Sequence, residues 1–211
     1  MGQIIEDHNM HFVRPIFFLK YLYSKAIWRK SKQENNIYLT FDDGPIPEIT
    51  PWILDVLKEK GVKATFFCVG DNIRKNPAIY QRLLTEGHAV GNHTYNHKKG
   101  WDTPLEEYLE NVASCQELTR TSLFRPPYGR ITQKQLNVLA KDYKIIMWDV
   151  LTGDYDKKIS PERCLNNATR FVRKGSIIVF HDNIKAIDNV RYALPKTIDY
   201  LLEKGFKFSL F

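Results

Sequence analysis

Short apolar runs alternate with stretches of helical character along this chain, and that alternation constrains its fold more than any other feature. IYLTF (37–41), ATFFCV (64–69), HAVG (88–91), SLFR (122–125), KIIMW (144–148) and SIIVF (176–180) read as strands, and FKFSLF closes the chain. Helices are expected over 50–60, 76–87, 103–120, 132–142, 161–174 and 189–204. Thr50-Pro51 reads as an N-cap and first helical residue with Gly61 as the stop, and Thr103-Pro104-Leu105-Glu106 reads as a capping box. Parallel neighbours need a crossover between them, so about seven strand–helix pairs predict an α/β fold with a parallel sheet. At 211 residues that sheet can curl into a closed or nearly closed β/α barrel with one full core.

Composition removes several function classes. Cys68, Cys115 and Cys164 are dispersed without CxxC spacing, which argues against a disulfide framework and a cysteine-ligated zinc site. Cys68, inside ATFFCV, is expected to be a buried thiol. The net charge of +7 is spread along the chain with no long basic block. It suits an attraction to anionic polymers or surfaces, while nothing in it marks a nucleic-acid partner. PIFFLKYLYSKAIW (15–28) is apolar but short, is interrupted by Lys20 and Lys25, and lacks a small-residue cleavage site. It is therefore expected as an amphipathic helix packing on the domain, or lying at a membrane interface, and neither as a signal peptide nor as a transmembrane span. This divides the chain into an extension, 1–35, and a main domain, 36–211, with a monomer as the default expectation. The compartment stays open between cytoplasmic, periplasmic and unconventional export.

In β/α barrels the reactive side chains gather at the carboxyl ends of the strands. Polar residues that follow strands are therefore the candidates. IYLTF runs into Asp42-Asp43-Gly44-Pro45, which sets two carboxylates side by side at a sharp turn. Adjacent carboxylates repel unless a cation or donor intervenes, although an Asx-type turn with both side chains in water would also fit. HAVG is followed by Asn92-His93-Thr94-Tyr95-Asn96-His97. Two imidazoles four residues apart, with a carboxylate, make a catalytic zinc pattern, and two surface histidines share the same spacing. His8 and His11 sit beside Glu6 and Asp7 in the same way but have no strand to fix them.

SLFR leads into Arg125-Pro126-Pro127-Tyr128-Gly129, where the prolines would stiffen an arginine able to make a fork of hydrogen bonds to a carboxylate. A stiff turn with a solvated arginine is the alternative. KIIMW is followed by Asp149 and Thr152-Gly153-Asp154-Tyr155-Asp156, three acids that could equally form a solvated loop. SIIVF is followed by His181-Asp182. Five polar constellations thus follow five strands of one domain and would converge on one barrel mouth.

TFDDGP, HTYNH, RPPYG, the WDVLTGDY segment and VFH resemble, in order and spacing, the five motifs of the NodB-homology polysaccharide deacetylases, the fourth carbohydrate esterase family. The resemblance extends over about 36–211. It implies a distorted (β/α)7 barrel and a divalent metal, usually zinc with cobalt or nickel as substitutes, bound by Asp43, His93 and His97. It implies a carbohydrate substrate and hydrolytic removal of acetyl groups from N-acetylglucosamine units of chitin oligomers or peptidoglycan. By position, Asp42 would be the general base oriented by Arg125, His181 the general acid partnered by Asp154, and the Tyr128 N–H an oxyanion donor. Trp148, Tyr155, Val179 and Pro127 would form the acetyl pocket.

The chain departs from the family pattern at three of these places. The fourth motif usually reads Asp-x-x-Asp-Trp, and here Leu151 and Tyr155 replace the first aspartate and the tryptophan. Val179 stands where the fifth motif usually has leucine. Two other readings fit the residues: a metal amidohydrolase acting on a small or cyclic amide, and a carbohydrate-binding homologue that has lost turnover.

Overall fold

The structure, a computed structural model, describes residues 13–211 apart from positions 16 and 32. His8 and His11 lie outside the described residues. The strands are β1 (Ala26–Ile27), β2 (Asn36–Asp42), β3 (Thr65–Cys68), β4 (Ala89–Asn92), β5 (Leu123–Phe124), β6 (Lys144–Ile146), β7 (Val150–Leu151), β8 (Ile177–His181) and β9 (Lys207–Phe208). The helices are α1 (Phe17–Leu22), α2 (Thr50–Glu59), α3 (Gly70–Lys75), α4 (Pro77–Thr85), α5 (Leu105–Thr119), α6 (Gln133–Leu139), α7 (Pro161–Arg170) and α8 (Ile187–Glu203).

The sheet order is β1-β6-β5-β4-β3-β2-β8-β7, with β9 paired to β2, and all of these pairings are parallel. The sheet curls into the distorted (β/α)7 barrel expected for the family, open between β1 and β7 among the described residues. At the amino-terminal end of β8 the two sides are tied by the Arg29–Ser176 bridge and by Lys30 N–H donating to the Gly175 carbonyl at 2.9 Å. No described helix is long and apolar enough to cross a membrane.

Period-2 alternation decides what points into the barrel. Tyr38, Phe67, Leu123, Ile146 and Ile177 pack together as an interior plug. One step further along the same faces come Thr40 and Asp42, Arg125, and Val179 and His181. The opposite faces of β2, β3 and β8 carry Phe41, Phe66 and Phe180, whose stacked rings (centroids 4.9 and 6.2 Å apart) are buried among the helices. Burying a phenylalanine side chain contributes about 1.5–3 kcal/mol, so these aromatic faces fix the register that brings Asp42 and His181 opposite one another.

Several local expectations are corrected. The 15–28 stretch is not one helix: α1 ends at Leu22, and Ala26–Ile27 joins the sheet beside β6. Tyr23 and Trp28 turn inward, with Tyr23 Oη donating to the Ile131 carbonyl at 3.0 Å and Trp28 Nε1 to the Tyr23 carbonyl at 3.3 Å. The Thr103 hydroxyl donates to the Lys99 carbonyl at 2.9 Å, so the expected capping box is absent and Pro104 occupies the cap. Ile49, not Thr50, is the N-cap of α2. The Thr50 hydroxyl instead donates to Asp182 Oδ2 at 2.7 Å and accepts the Ile46 N–H at 2.7 Å. Cys68, Cys115 and Cys164 are all buried free thiols.

Candidate active site

A cavity of about 780 Å³ opens at the carboxyl ends of the strands, and Asp42, Asp43, His93, His97, Tyr128, Trp148, Tyr155, Val179 and His181 all line it. Pro127 is buried and lies off its wall, where it stiffens the turn beneath Tyr128. Arg125 and Asp154 sit one layer behind, against Asp42 and His181.

Asp42 ends β2 and is held from below. Arg125 is fully buried, its Nη1 donating to Asp42 Oδ1 at 2.6 Å and to Thr40 Oγ1 at 2.8 Å. Its Nε and Nη2 donate to the carbonyls of Ile146 and Met147, both at 3.1 Å. The fork toward a carboxylate is therefore not formed, because the carbonyls at and just beyond the end of β6 take the other N–H groups. The guanidinium carbon also lies 4.1 Å from the Phe67 ring centroid. Burial pulls the guanidinium down and Asp42 pushes it back up. The pair is enclosed, so removing either partner would leave an uncompensated buried charge.

Asp43, immediately after β2, points the other way. Its Oδ1 lies 3.0 Å from His97 Nε2 and 3.6 Å from His93 Nε2, and its Oδ2 accepts from Asn183 Nδ2 at 2.5 Å. His93 Nδ1 is 2.7 Å from the Arg125 carbonyl, which can only accept, so Nδ1 carries the hydrogen and Nε2 faces the cavity and Asp43. One ligand atom from each of Asp43, His93 and His97 lies within 4.8 Å of the others. Two imidazole nitrogens and a carboxylate oxygen facing one point form a donor set suited to a divalent cation. A tetrahedral cation with ligand bonds of about 2.0–2.2 Å fits that donor set and leaves a position open. Burial pushes the Asp43 carboxyl up, but its contacts with His93 and His97 prevail and hold it well below the usual carboxylate range.

Left-handed backbone makes this convergence possible. Asp43, Thr94, His97 and Tyr128 have φ of 90°, 61°, 55° and 59°. Non-glycine residues in that region cost of order 1 kcal/mol or more each and persist where surroundings over-determine them. Here Asn72 Nδ2 donates to the Asp43 carbonyl at 2.7 Å, Asn92 Oδ1 accepts the Thr94 N–H at 2.9 Å, and Asn111 Oδ1 accepts the N–H groups of Tyr95 and Asn96 at 2.9 Å. The Tyr128 N–H makes no hydrogen bond among the described residues, and the His97 and Tyr128 rings lie 4.7 Å apart.

Across the cavity, His181 Nδ1 lies 2.8 Å from Asp154 Oδ1, and the His181 backbone N–H donates to Asp154 Oδ2 at 2.6 Å. Burial pulls this imidazole down, but the Asp154 carboxylate wins and raises it to about 9. Asp154 is fully buried beneath it. The Tyr155 ring meets His181 edge-on at 4.8 Å, and Leu151, Val179 and Trp148 complete an apolar wall.

Asp182, Asn183, Asn72 and Asn111 were not assigned roles from sequence. Asp182 Oδ1 accepts the Gly44 N–H at 2.9 Å while Oδ2 takes the Thr50 hydroxyl, and burial pushes this carboxyl up to about 8. A Cβ on Gly44 would lie 1.7 Å from Asp182 Oδ2, so only glycine allows the approach that pins the Asp42-Asp43 turn. A glycine after paired acids and an acid after the strand-end histidine were the available signals. Asp149 goes elsewhere: Arg173 and Ser176 bond its carboxylate at 2.8–3.0 Å, off the cavity wall.

The parallel barrel thus gathers an Asp-His-His cluster, a carboxylate buttressed by Arg125 and an imidazole backed by Asp154 around one cavity. Residues 29–144 match the polysaccharide deacetylase family model, and the chain belongs to that family. It is 38% identical over 180 residues to a peptidoglycan-N-acetylglucosamine deacetylase of Bacillus cereus, covering 82% of this chain and 65% of that protein's length. It is 34% identical to a chitooligosaccharide deacetylase of Azorhizobium caulinodans, covering 73% of this chain and 77% of the relative. A crystal structure of a peptidoglycan N-acetylglucosamine deacetylase superposes with a TM-score of 0.84 at 34% identity, covering 90% of this chain and 92% of that one.

Proposed function

We propose that this protein is a metal-dependent hydrolase that removes N-acetyl groups from N-acetylglucosamine-containing polymers or oligomers, with 36–211 as the catalytic domain. One observation carries the reading: Asp43, His93 and His97 converge within 4.8 Å on a cavity that Asp42 and His181 also line. Relatives acting on peptidoglycan and on chitooligosaccharides support the reaction class.

Asp43, His93 and His97 would hold a divalent cation, zinc in our assignment with cobalt or nickel as working substitutes. Such an ion polarises an amide carbonyl and lowers the pKa of water from 15.7 towards about 7. Asp42, aimed by Arg125, accepts a proton from the attacking water. The Tyr128 N–H is free to donate to the carbonyl oxygen as negative charge develops, an interaction of about 3 kcal/mol in comparable sites. His181 is protonated at neutral pH and delivers its proton to the leaving nitrogen, while Asp154 keeps the proton-bearing Nδ1 turned away and Nε2 toward the cavity. Trp148, Leu151, Tyr155 and Val179 exclude water around the acetyl methyl group.

Acetate release from N-acetylglucosamine oligomers, measured beside small linear and cyclic amides on zinc-loaded protein, tests this. Turnover of the oligomers is expected. Turnover of the small amides alone would make the chain an amidohydrolase of another substrate class, and oligomer binding without turnover would make it a carbohydrate-binding homologue.

A further inference from the structure

The connection from β8 to α8 is laced onto the turn that carries the paired acids, residue by residue. The Asp182 N–H donates to the Asp42 carbonyl at 3.0 Å, and Asp182 Oδ1 accepts the Gly44 N–H at 2.9 Å. Between these two ties, Asn183 Nδ2 donates to Asp43 Oδ2 at 2.5 Å. Asn183 therefore reaches the one residue of the turn whose side chain belongs to the Asp-His-His cluster, and it lines the same cavity.

The direction of its amide is fixed independently. Asn183 Oδ1 accepts the Ala186 N–H at 3.0 Å and so caps the single turn Ile184–Ala186 that leads into α8. A backbone N–H can only donate, so the amide oxygen faces Ala186 and the NH2 group faces Asp43. The Asp43 backbone is held from elsewhere, by Asn72 Nδ2 donating to its carbonyl at 2.7 Å. What Asn183 adds is control over the rotation of the carboxylate.

The two oxygens of Asp43 are thereby given different work. Oδ1 lies 3.0 Å from His97 Nε2 and 3.6 Å from His93 Nε2, while Oδ2 is taken by Asn183. Carboxylates can ligate cations through one oxygen or through both. A catalytic site needs three protein ligands and one position left for solvent or substrate, and a second carboxylate oxygen would compete for that position.

Resting on the deacetylase reading and the cation it calls for, we infer that Asn183 is a positioning residue. It engages Asp43 Oδ2, restricts Asp43 to ligation through Oδ1, and so keeps a coordination position open.

The test pairs Asn183→Ser with Asn183→Ala. A serine hydroxyl can still accept the Ala186 N–H, as short polar caps do, but is too short to reach Asp43, whereas alanine loses both contacts. Zinc affinity is measured by competition with a chromophoric chelator. The visible absorption of the cobalt-loaded protein reads the coordination number, and acetate release from N-acetylglucosamine oligomers is followed at saturating metal. In both variants the cobalt bands should weaken as Asp43 engages through both oxygens and the site passes from four to five ligands, a change that capping alone does not produce. Zinc should bind about tenfold more weakly, the lower end of the usual range for a lost supporting contact, because the second oxygen offsets part of the lost aim. kcat at saturating zinc should fall about tenfold as well.

An unchanged cobalt spectrum in Asn183→Ser overturns the inference, as does an effect confined to Asn183→Ala, which would assign Asn183 to the cap. Acetate release from none of the oligomers by the unaltered protein overturns the deacetylase reading instead, and the cobalt spectra, which need no turnover, then decide the inference alone. Failure of the unaltered protein to bind zinc or cobalt ends both.

Discussion

Two carboxylate–imidazole contacts face each other across one cavity, and they are built in opposite senses. Asp43 meets the Nε2 atoms of His93 and His97, and the Arg125 carbonyl sets the His93 ring from behind at Nδ1. Asp154 meets His181 at Nδ1, from behind, and leaves Nε2 toward the cavity. On the first side two ring nitrogens and a carboxylate oxygen converge on one point. On the second the carboxylate sits underneath and favours the protonated ring. The backbone differs in step: Asp43 and His97 have left-handed φ, whereas His181 is still within the extended register of β8. Residue types alone do not separate the two arrangements; the ring nitrogen that meets the carboxylate does.

The largest effect should come from breaking the first side. Asp43→Ala or His93→Ala is expected to lose stoichiometric zinc on dialysis, read by metal analysis, whereas Asp154→Ala should keep it. Full zinc retention in His93→Ala would erase the distinction between the two sides. Next in size, Asp42→Asn should keep its zinc and lose about 10²–10⁴-fold in kcat, the usual contribution of a positioned base. Near-normal turnover would remove Asp42 from that role.

The second side is sharpened by pH. His181 is raised to about 9 chiefly because Asp154 opposes the effect of burial, so on the proposed mechanism activity should fall as pH rises through that value. Asp154→Asn removes the stabilising charge, and the alkaline limb of kcat should move to lower pH. A limb that stays in place would assign it to another group. The smallest effect concerns the turn that carries the paired acids. Asp182→Ala strips the acceptor from the Gly44 N–H and the Thr50 hydroxyl and should cost about 1–3 kcal/mol in denaturant unfolding.

Much of the candidate site was legible because its residues follow apolar runs. IYLTF, HAVG and SIIVF are long enough to stand out, the two-residue β5 was marked instead by the Arg125-Pro126-Pro127 that follows it, and Asp42, Asp43, His93, Arg125 and His181 lie at or just beyond these ends. The parallel barrel followed from the same alternation. What stayed hidden has little local periodicity: β1 and β7 have two residues each and α3 has six. Asp182 and Asn183 act on residues 44, 50 and 43, more than 130 positions away, through single hydrogen bonds that no sequence pattern encodes. Thr50 shows the limit directly, since a residue that reads as a helix cap spends its hydroxyl on a distant buried acid.

The most direct measurement is a zinc titration of chelator-stripped protein with bound metal and acetate release followed together. One zinc per chain, with the rate rising in proportion and reaching its plateau at that equivalence, is the predicted result. Acetate release that persists undiminished in the stripped protein would contradict the assignment of Asp43, His93 and His97.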